Sequence, residues 1–369
     1  MITYDDLKVG TFINASGTVT TLGGSLMPEP VVEAMVQASR SFVGLDELHE
    51  EAGKWLAAKI GVPAAFIACG AASGMLVAAA ACLTGTDTDL IRAIPEVPSG
   101  KNEFVISYVD EHTYVHQGFR VVGGVLVAAG TSTGVTSEEL IGAITDRTAA
   151  VVHFLGKQTR QQLIEVIAGA HERGVPVIVD AAAQLPPRSN LAEVVGLGAD
   201  LVIFSGGKGM RGPQATGLVL GRPDLVAAAR LNGSPQSAVG RGMKVGKEEI
   251  MGLLKAVYLY LAQDEAAELD DWEQQMRTVA AAAHGLEGVS GEVRRKDEGA
   301  SWDIVPHAQI RFGGESGKQA AAVARALRAG EPSIDVRLNE VGILISPMTL
   351  QPGEAAIVAA RLRAVLQAR

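Results

Sequence analysis

The sequence predicts an α/β protein built on a mostly parallel sheet, and three observations support this fold class. Apolar, β-branched segments alternate with helical ones along most of the chain. Two of these apolar segments end on chemically important residues: residues 175–179 are followed by Asp180, and residues 201–204 by Ser205-Gly206-Gly207-Lys208. The segment between them has helical potential at 190–197. Only 4% of the residues are aromatic and 43 are glycine, which favours close-packed α/β layers over a β-sandwich.

At 369 residues the chain is longer than a single compact core usually is. We therefore expect an N-terminal active-site loop over 1–27, a large α/β domain over 28–250, and a linker helix with a small α+β domain over 251–369. The loop is predicted because residues 13–27 (INASGTVTTLGGSLM) are rich in Gly, Ser and Thr and have little hydrophobic periodicity.

The large domain is expected to begin with helices from residue 28 and over 45–60, followed by a short strand at 64–68. Small residues then lead into an Ala-rich helix that reaches residue 83. Amide groups at the start of such a helix can bind phosphate, although packing alone also explains small residues there. The candidate phosphate-binding residues are Ala71, Ala72 and Ser73.

A predicted strand over 103–109 is followed by two histidines four residues apart, His112 and His116. Their spacing suggests a metal site, but no cysteine or carboxylate completes the set at ligand spacing. One imidazole stacking on a planar cofactor is the other functional interpretation. Ordinary surface or capping histidines fit the pattern equally well.

The alternation continues to the end of the chain. In the large domain the pattern predicts strands at 125–129 and 149–155 and helices at 137–144, 160–173 and 223–231. A long helix over 248–284 is expected to link the domains. The small domain is predicted to contain strands at 292–295 and 307–312, a helix at 318–329, an extended run at 334–346 and a last helix at 354–368.

Asp180 and Lys208 are the principal candidate catalytic residues. In a parallel sheet the carboxyl ends of neighbouring strands meet at one edge, so both side chains should open into one crevice. An amine and a carboxylate there suit pyridoxal phosphate (PLP): the lysine forms a Schiff base and the carboxylate keeps the pyridine nitrogen protonated. Taken singly, Asp180 also fits a helix cap, and Lys208 a solvated loop residue.

Further cations are candidates for holding a substrate anion. Arg241, Lys244 and Lys247 follow one another closely in and after a Gly-rich loop, where a phosphate or carboxylate could bind. A basic, solvated helix entrance is the alternative. In the small domain Arg311 and Arg337 are candidate carboxylate clamps, although charges on strand faces are most often solvated.

Composition and termini exclude several classes of protein. The net charge of −9, with no basic arm, argues against nucleic-acid binding. Cys69 and Cys82 are too few for a disulfide framework and are expected to be buried thiols. The N-terminal residues MITYDDLKVG do not resemble a signal peptide, and no apolar run is long enough to span a bilayer, so we expect a cytoplasmic protein without a membrane partner.

Several motifs, in this order along the chain, resemble the fold-type I PLP-dependent enzymes of the bacterial selenocysteine synthase (seryl-tRNA selenium transferase) superfamily. They are INASGTVTTLGG, CGAASG, VPVIVDAAAQLPP, DLVIFSGGKGMRGPQATG and GRGMKVGKEE. The resemblance implies an aspartate-aminotransferase-like fold and a homodimer or larger homo-oligomer with active sites between subunits. It makes Lys208 the Schiff-base lysine and Asp180 the partner of the pyridinium nitrogen, with Ser205 and residues 71–73 in the cofactor site.

This chain also departs from the selenium-transferring members of that superfamily. Those enzymes carry an additional tRNA-binding segment, Asn-Leu-Gly-Arg in place of Thr21-Leu22-Gly23-Gly24, and Arg-x-x-Arg in place of Arg241-Gly242-Met243-Lys244. The differences favour a small-molecule branch similar to D-glucosaminate-6-phosphate ammonia-lyase. The substrate-binding candidates are then Thr21, Gly23, Arg241, Lys244 and Arg337.

The expected activity is removal of water and ammonia from a β-hydroxy amino acid or amino sugar acid, leaving a 2-oxo acid. Racemisation, aldol cleavage and selenium or sulfur transfer are alternatives, because they begin from the same linkage between substrate and cofactor. A PLP-binding regulator without turnover is the alternative from a different functional class.

Overall fold

The computed structural model describes residues 2–98, 100–109, 112–295, 302–313 and 316–368. The chain divides into two compact units. The larger unit contains Met27–Gln263 together with Glu298–Asp303, and the smaller unit contains Met1–Leu26, Asp264–Asp297 and Ile304–Arg369. The N-terminal loop therefore groups with the C-terminal part of the chain.

The strands, in chain order, are β1 (Ile13–Asn14), β2 (Ala64–Ala68), β3 (Glu103–Ser107), β4 (Val125–Ala129), β5 (Thr148–Phe154), β6 (Val177–Asp180), β7 (Leu201–Ser205), β8 (Gly217–Gly221), β9 (Val289–Arg294), β10 (His307–Phe312), β11 (Ile334–Asp335), β12 (Arg337–Asn339) and β13 (Gly342–Ile345). The helices are α1 (Glu29–Ala38), α2 (Leu45–Ile60), α3 (Gly70–Thr84), α4 (Thr88–Ala93), α5 (Thr113–Val121), α6 (Ser137–Gly142), α7 (Arg160–His171), α8 (Asn190–Gly196), α9 (Pro223–Asn232), α10 (Lys247–Ala262), α11 (Glu265–Ala280), α12 (Ser316–Arg328) and α13 (Glu354–Gln367).

The larger unit is built around a seven-stranded sheet in the order β2-β8-β7-β6-β5-β3-β4. Neighbours from β4 to β7 are parallel, whereas β8 runs antiparallel to both β2 and β7. Both faces carry buried aliphatic side chains, for example Val177 and Val179 on one face and Ile178 on the other. Runs of β-branched residues suit such a doubly covered sheet, and the predicted α/β class is confirmed.

Helix α10 and strand β8 are among the elements that differ from the sequence prediction. The single helix expected over 248–284 is wrong, because α10 ends at Ala262 and α11 begins at Glu265. Between them, the Asp264 carboxylate accepts a hydrogen bond from the Ala267 amide (3.1 Å), an N-cap that starts a new helix. Strand β8 was not predicted, since the short segment GLVLG gives little periodic signal.

The smaller unit has its own core. Strand β1 pairs in parallel with β11, and β12-β13-β10-β9 form an antiparallel sheet. Apolar residues of α11, α12 and α13 pack with those of the sheet. Among the described residues of either unit, no helix combines the length and apolar composition needed to cross a bilayer.

Candidate active site

The structure brings Asp180 and Lys208 to the same edge of the larger sheet. Strands β6 and β7 are parallel neighbours, and Asp180 is paired with Ile203, two residues before the end of β7. Lys208 follows in the next loop and is partly buried. Burial lowers the pKa of the Lys208 amine, while the Asp180 carboxylate acts in the opposite direction, so the two groups interact.

Local hydrogen bonds hold Asp180 at the end of its strand. Its Oδ1 accepts a hydrogen bond from the Ala182 amide (2.9 Å), and its main-chain carbonyl accepts one from the Leu155 amide (3.0 Å). A carboxylate that accepts an amide hydrogen bond is stabilised in its charged form. Asp180 is thereby held in a defined orientation at the end of β6.

The predicted phosphate-binding turn is the start of α3. Helix α3 begins at Gly70 and, among the described residues, no side chain caps it. Ala71 is partly exposed and Ala72 exposed, so their amides are accessible to an anion. The Ser73 hydroxyl donates within the helix, where it lies 2.5 Å from the Cys69 carbonyl and 3.0 Å from the Gly70 carbonyl, and its role in binding a phosphate stays a prediction.

Sequence reasoning missed Gly217, which allows this helix start to approach the sheet. A Cβ at Gly217 would lie 2.6 Å from the Gly70 carbonyl carbon and 2.8 Å from the Ala71 nitrogen. Strand β8 can lie against the first turn of α3 only because Gly217 has no side chain. The signal in the sequence was Thr216-Gly217 after the lysine loop, but periodicity alone does not link it to Gly70.

His112 lies beside the same strand ends. It precedes α5, and its ring is stacked on Phe154 at 25° with the centroids 6.3 Å apart. Phe154 is the register partner of Asp180. His116 lies farther along α5 and is half-buried. Of the two histidines, His112 therefore has the position suited to a planar cofactor next to Asp180.

The described residues give no support for a metal site at these histidines. Within the ranges that the structure describes, no group of three His, Cys, Asp or Glu side chains is close enough together to hold a metal ion. Positions 110 and 111, immediately before His112, lie outside those ranges.

The glycines around Lys208 are required by space. A Cβ at Gly207 would collide with Gln214, and one at Gly209 would lie 2.5 Å from the Leu185 carbonyl oxygen. Ser205, the last residue of β7, is buried and paired with Gly217. The loop is thus packed from both sides, and Lys208 leaves it in a fixed position.

The cysteines belong to this region but do not add a reactive group. Cys69 immediately precedes α3 and Cys82 lies within it; both are partly buried and unbridged. Burial raises the pKa of Cys82 to about 12 and also raises the pKa of Cys69. Both side chains are therefore neutral thiols near neutral pH.

The three cations of the basic loop and the start of α10 differ in their surroundings. Lys247 donates a hydrogen bond to the Ala38 carbonyl (3.0 Å) and is ion-paired with Glu248, so it has protein partners, and a ligand-binding role for it stays a prediction. Arg241 and Lys244 are exposed. Their loop lies at the start of α3, where a small recess is lined by Cys69, Ser73, Gly233, Ser234, Gly240, Met243 and Val245.

The remaining candidates belong to the smaller unit. Thr21 is exposed in a short turn that Gly23 ends in the left-handed conformation. Arg337 is exposed on β12. Arg311 is ion-paired with Glu292 (2.8 Å), which makes it a poor carboxylate clamp. A substrate-binding role for Thr21, Gly23 and Arg337 stays a prediction.

The residues at this edge fit PLP. Lys208 is a partly buried amine that interacts with the Asp180 carboxylate, α3 offers a helix start without a side-chain cap for a phosphate, and His112 presents an aromatic face. The crowded glycines leave the Lys208 loop close to this space. These are the parts required to hold an aldehyde, a phosphate and a pyridine ring at one time.

Comparisons with known proteins agree with this geometry. The family model described as aminotransferase class-V matches residues 91–240. A 5'-C-glycyluridine monooxygenase-decarboxylase from Streptomyces sp is 34% identical, covering 96% of this chain and 90% of the relative. A D-glucosaminate-6-phosphate ammonia lyase from Salmonella typhimurium is 30% identical, covering 99% and 98%.

Two further matches are a selenium transferase and a solved structure of an ammonia-lyase. An L-seryl-tRNA(Sec) selenium transferase from Rhizobium meliloti is 25% identical over 90% of this chain and 78% of the relative. A solved structure of D-glucosaminate-6-phosphate ammonia-lyase superposes with a TM-score of 0.80 at 29% identity, covering 99% of this chain and 98% of that one.

Proposed function

This chain belongs to the fold-type I, PLP-dependent enzymes similar to selenocysteine synthase, and we propose from that premise that it is an ammonia-lyase. The proposed reaction releases ammonia from a β-hydroxy amino acid or amino sugar acid and leaves a 2-oxo acid: the β-hydroxyl leaves as water, and one water is taken up when the resulting unsaturated amine is hydrolysed. The observation that carries the proposal is the pairing of Lys208 with Asp180 at adjacent strand ends, in a chain that aligns with an ammonia lyase over nearly its full length.

Bound at this edge, PLP supplies a ring that accepts the electrons left when a bond at the substrate Cα is broken. Asp180, whose Oδ1 is oriented by the Ala182 amide, would hold the proton on the ring nitrogen. The start of α3 would bind the phosphate, and His112 would cover one face of the ring.

Lys208 acts as the base. Burial lowers the pKa of its amine, so the neutral form that can take the Cα proton is more available than in a solvated lysine. The same group can then donate that proton to the departing β-hydroxyl, which leaves as water. The unsaturated amine that is released takes up one water on hydrolysis, so the net products are a 2-oxo acid and ammonia.

Exposed cations near the start of α3 are proposed to bind the substrate. Arg241 and Lys244 lie on the loop that reaches this helix, and both can pair with a carboxylate or a phosphate. The relative from Salmonella acts, by its name, on D-glucosaminate 6-phosphate, which carries both groups. We also propose a homodimer or larger homo-oligomer, to be measured by light scattering; the cytoplasmic location stays a prediction.

The first experiment tests cofactor and lysine together. Purified protein mixed with PLP should develop a visible absorption band, and borohydride should fix the cofactor on Lys208 in a peptide map. Lys208→Ala should lack the band, whereas Lys59→Ala, which removes an exposed lysine of α2, should keep it. Wild-type protein that never binds the cofactor would refute the proposal.

The second experiment decides the reaction. D- and L-β-hydroxy amino acids, and D-glucosaminate with and without its 6-phosphate, should be assayed for ammonia and 2-oxo acid. Release of both supports the lyase. The Streptomyces relative is named a monooxygenase-decarboxylase, so oxygen uptake with CO2 release would favour that chemistry instead. Racemised, cleaved or selenium- or sulfur-substituted products would favour the other PLP reactions, and no spectral change with any substrate would favour a regulator.

A further inference from the structure

Asn232, the last residue of α9, carries a fully buried side-chain amide. Its Nδ2 donates hydrogen bonds to the Thr84 hydroxyl (2.9 Å) and to the Ala228 carbonyl (3.1 Å). Its Oδ1 is also buried but has no hydrogen-bond partner within the described ranges. An unpaired buried acceptor is unfavourable, so an asparagine at this position needs a physical reason.

The donor group of Asn232 joins two helices. Thr84 is the last residue of α3, and it is buried. Its hydroxyl lies 3.0 Å from the carbonyls of both Ala80 and Gly85, so its proton is used at its own helix end and its oxygen accepts from Asn232. An apolar side chain of similar size would fill the same space without this link. Asn232 therefore ties the end of α9 to the helix whose start is the candidate phosphate site.

The same residue closes the loop that follows α9. The Asn232 carbonyl accepts a hydrogen bond from the Gly240 amide (2.8 Å), and Gly233 forms an isolated β-bridge with Gly240. A Cβ at Gly240 would lie 2.5 Å from the Asn232 carbonyl oxygen and 2.8 Å from the Gly233 Cα. A Cβ at Gly233 would lie 2.9 Å from the Phe66 ring. Asn232, Gly233 and Gly240 thus form a crowded neck that closes residues 233–240 into a loop.

The neck fixes the backbone that carries two exposed cations. Arg241 follows Gly240 directly, and Lys244 comes three residues later. Between and after them, Met243 packs against the core and Val245 is buried. Gly240, Met243 and Val245 also line the recess that residues from the start of α3 complete. The backbone on both sides of each cation is therefore anchored next to the candidate phosphate site.

We propose that Asn232 is a positioning residue for substrate binding. Its side chain holds the neck against α3, and the neck holds the backbone of Arg241 and Lys244 in place before the substrate arrives. A loop that is already ordered loses less conformational entropy on binding, so it binds the same anion more tightly than a loose loop does. The inference rests on the proposed function, in which these two cations bind a substrate carboxylate or phosphate. Asn232 is fully buried, so it acts only through the loop.

Gly240→Ala and Gly242→Ala form a matched pair that tests the neck. The first adds a methyl group that collides with the Asn232 carbonyl, whereas the second adds one that meets nothing within 4 Å, at a φ that is not positive. Limited trypsin digestion of the holoenzyme reports on this segment, because trypsin cleaves after Lys244. Overpacking at the neck should increase the rate of this cleavage about tenfold in Gly240→Ala. Gly242→Ala should be cleaved at the wild-type rate.

Thr84→Val and Thr84→Ser test the side chain of Asn232. Valine keeps the shape of threonine but cannot accept the hydrogen bond, whereas serine can. Thr84→Val and Asn232→Leu should therefore be cleaved after Lys244 about as fast as Gly240→Ala, and Thr84→Ser at nearly the wild-type rate. Cleavage after Lys54, an exposed lysine within α2, is the reference, because a general loss of stability would accelerate cleavage at both lysines.

Protection from trypsin tests the consequence for the substrate. D-glucosaminate 6-phosphate should slow cleavage after Lys244 in borohydride-reduced holoenzyme, which cannot turn the ligand over. The concentration that gives half protection should rise about tenfold in the two variants that loosen the neck, Gly240→Ala and Thr84→Val. It should stay near the wild-type value in the two controls, Gly242→Ala and Thr84→Ser.

The outcomes separate this inference from the proposed reaction. Equal cleavage after Lys244 in all variants, or unchanged protection in Gly240→Ala and Thr84→Val, would overturn the role of Asn232. Protection of the wild-type protein without ammonia release from the unreduced enzyme would refute the lyase proposal alone. Ammonia release without any protection would refute the positioning role alone.

Discussion

Gly217→Ala provides a direct test of how the phosphate end of the site is built. The new Cβ would lie 2.6 Å from the Gly70 carbonyl carbon, 2.7 Å from its oxygen and 2.8 Å from the Ala71 nitrogen. Non-bonded carbon atoms prefer separations of about 3.5–4.0 Å, so the first turn of α3 must move by about 1 Å. The displaced groups belong to the residues whose amides are proposed to bind the cofactor phosphate.

Gly217→Ala should lower both the stability of the protein and its affinity for PLP, and the two losses can be estimated separately. Overpacking of this kind costs about 1–3 kcal/mol in stability, which corresponds to a fall in unfolding temperature of about 2–4 °C per kcal/mol for a unit of this size. Hydrogen bonds to a charged group are worth about 1.5–3 kcal/mol each. Weakening one of them should therefore raise the Kd for PLP about 10- to 100-fold, since each 1.4 kcal/mol is a factor of ten.

Absorbance titration with PLP and with pyridoxal isolates the phosphate contribution. Pyridoxal lacks the phosphate, so Gly217→Ala should bind it nearly as wild type does while binding PLP more weakly. Gly142→Ala is the control, because a Cβ there meets nothing within 4 Å and its φ is not positive. Wild-type PLP affinity in Gly217→Ala, or equal losses for both aldehydes, would show that the start of α3 does not hold the phosphate.

Three further predictions follow from the described contacts. Asp180→Asn should retain the cofactor but lower kcat about 10²- to 10⁴-fold, because an amide cannot hold the ring nitrogen protonated; unchanged turnover would contradict this role. Asp200 is buried and accepts hydrogen bonds from the Val177 amide (2.8 Å) and from Arg222 (2.7 Å). Asp200→Ala should therefore lower the free energy of unfolding, measured by denaturant titration, by about 3–5 kcal/mol. The affinity for PLP at low denaturant should not change. Because the pKa of Lys208 is lowered, the folded, cofactor-free protein binds fewer protons than the unfolded chain between that pKa and 10.5. The free energy of unfolding should therefore rise with pH across that window. Lys208→Met should remove this part of the pH dependence.

Local patterns predicted most of the fold, and non-local contacts account for what they missed. Helix α2 and strand β2 have the predicted bounds, because apolar spacing and a following glycine define them within the segment. The break between α10 and α11 was missed because apolar residues recur on both sides, while a single Asp264 cap decides it. Strand β8 is defined by its partners β2 and β7 and not by its own sequence.

In the candidate site, too, local sequence patterns predicted some features, whereas others depend on contacts between remote parts of the chain. Asp180 and Lys208 were predictable because strand order alone puts two consecutive parallel strand ends together. The contact of Gly217 with Gly70 and the packing of Gln214 on Gly207 depend on chain segments that meet only in the folded protein. The contact of Lys247 with the Ala38 carbonyl could not be predicted either, because the two residues are remote in sequence.

The relatives indicate where the choice of reaction is made. Proteins named an ammonia lyase and a monooxygenase-decarboxylase are 30% and 34% identical to this chain over nearly all of it. In the proposed roles, Asp180 and Lys208 would support the movement of electrons into the ring whichever bond at Cα breaks, so they would not choose among these reactions. The bond that breaks is the one held perpendicular to the plane of the conjugated ring, and this depends on where the substrate carboxylate is bound. Residues that bind that carboxylate are therefore expected to control the outcome, and in this chain the proposed ones are Arg241 and Lys244, on the loop beside the start of α3.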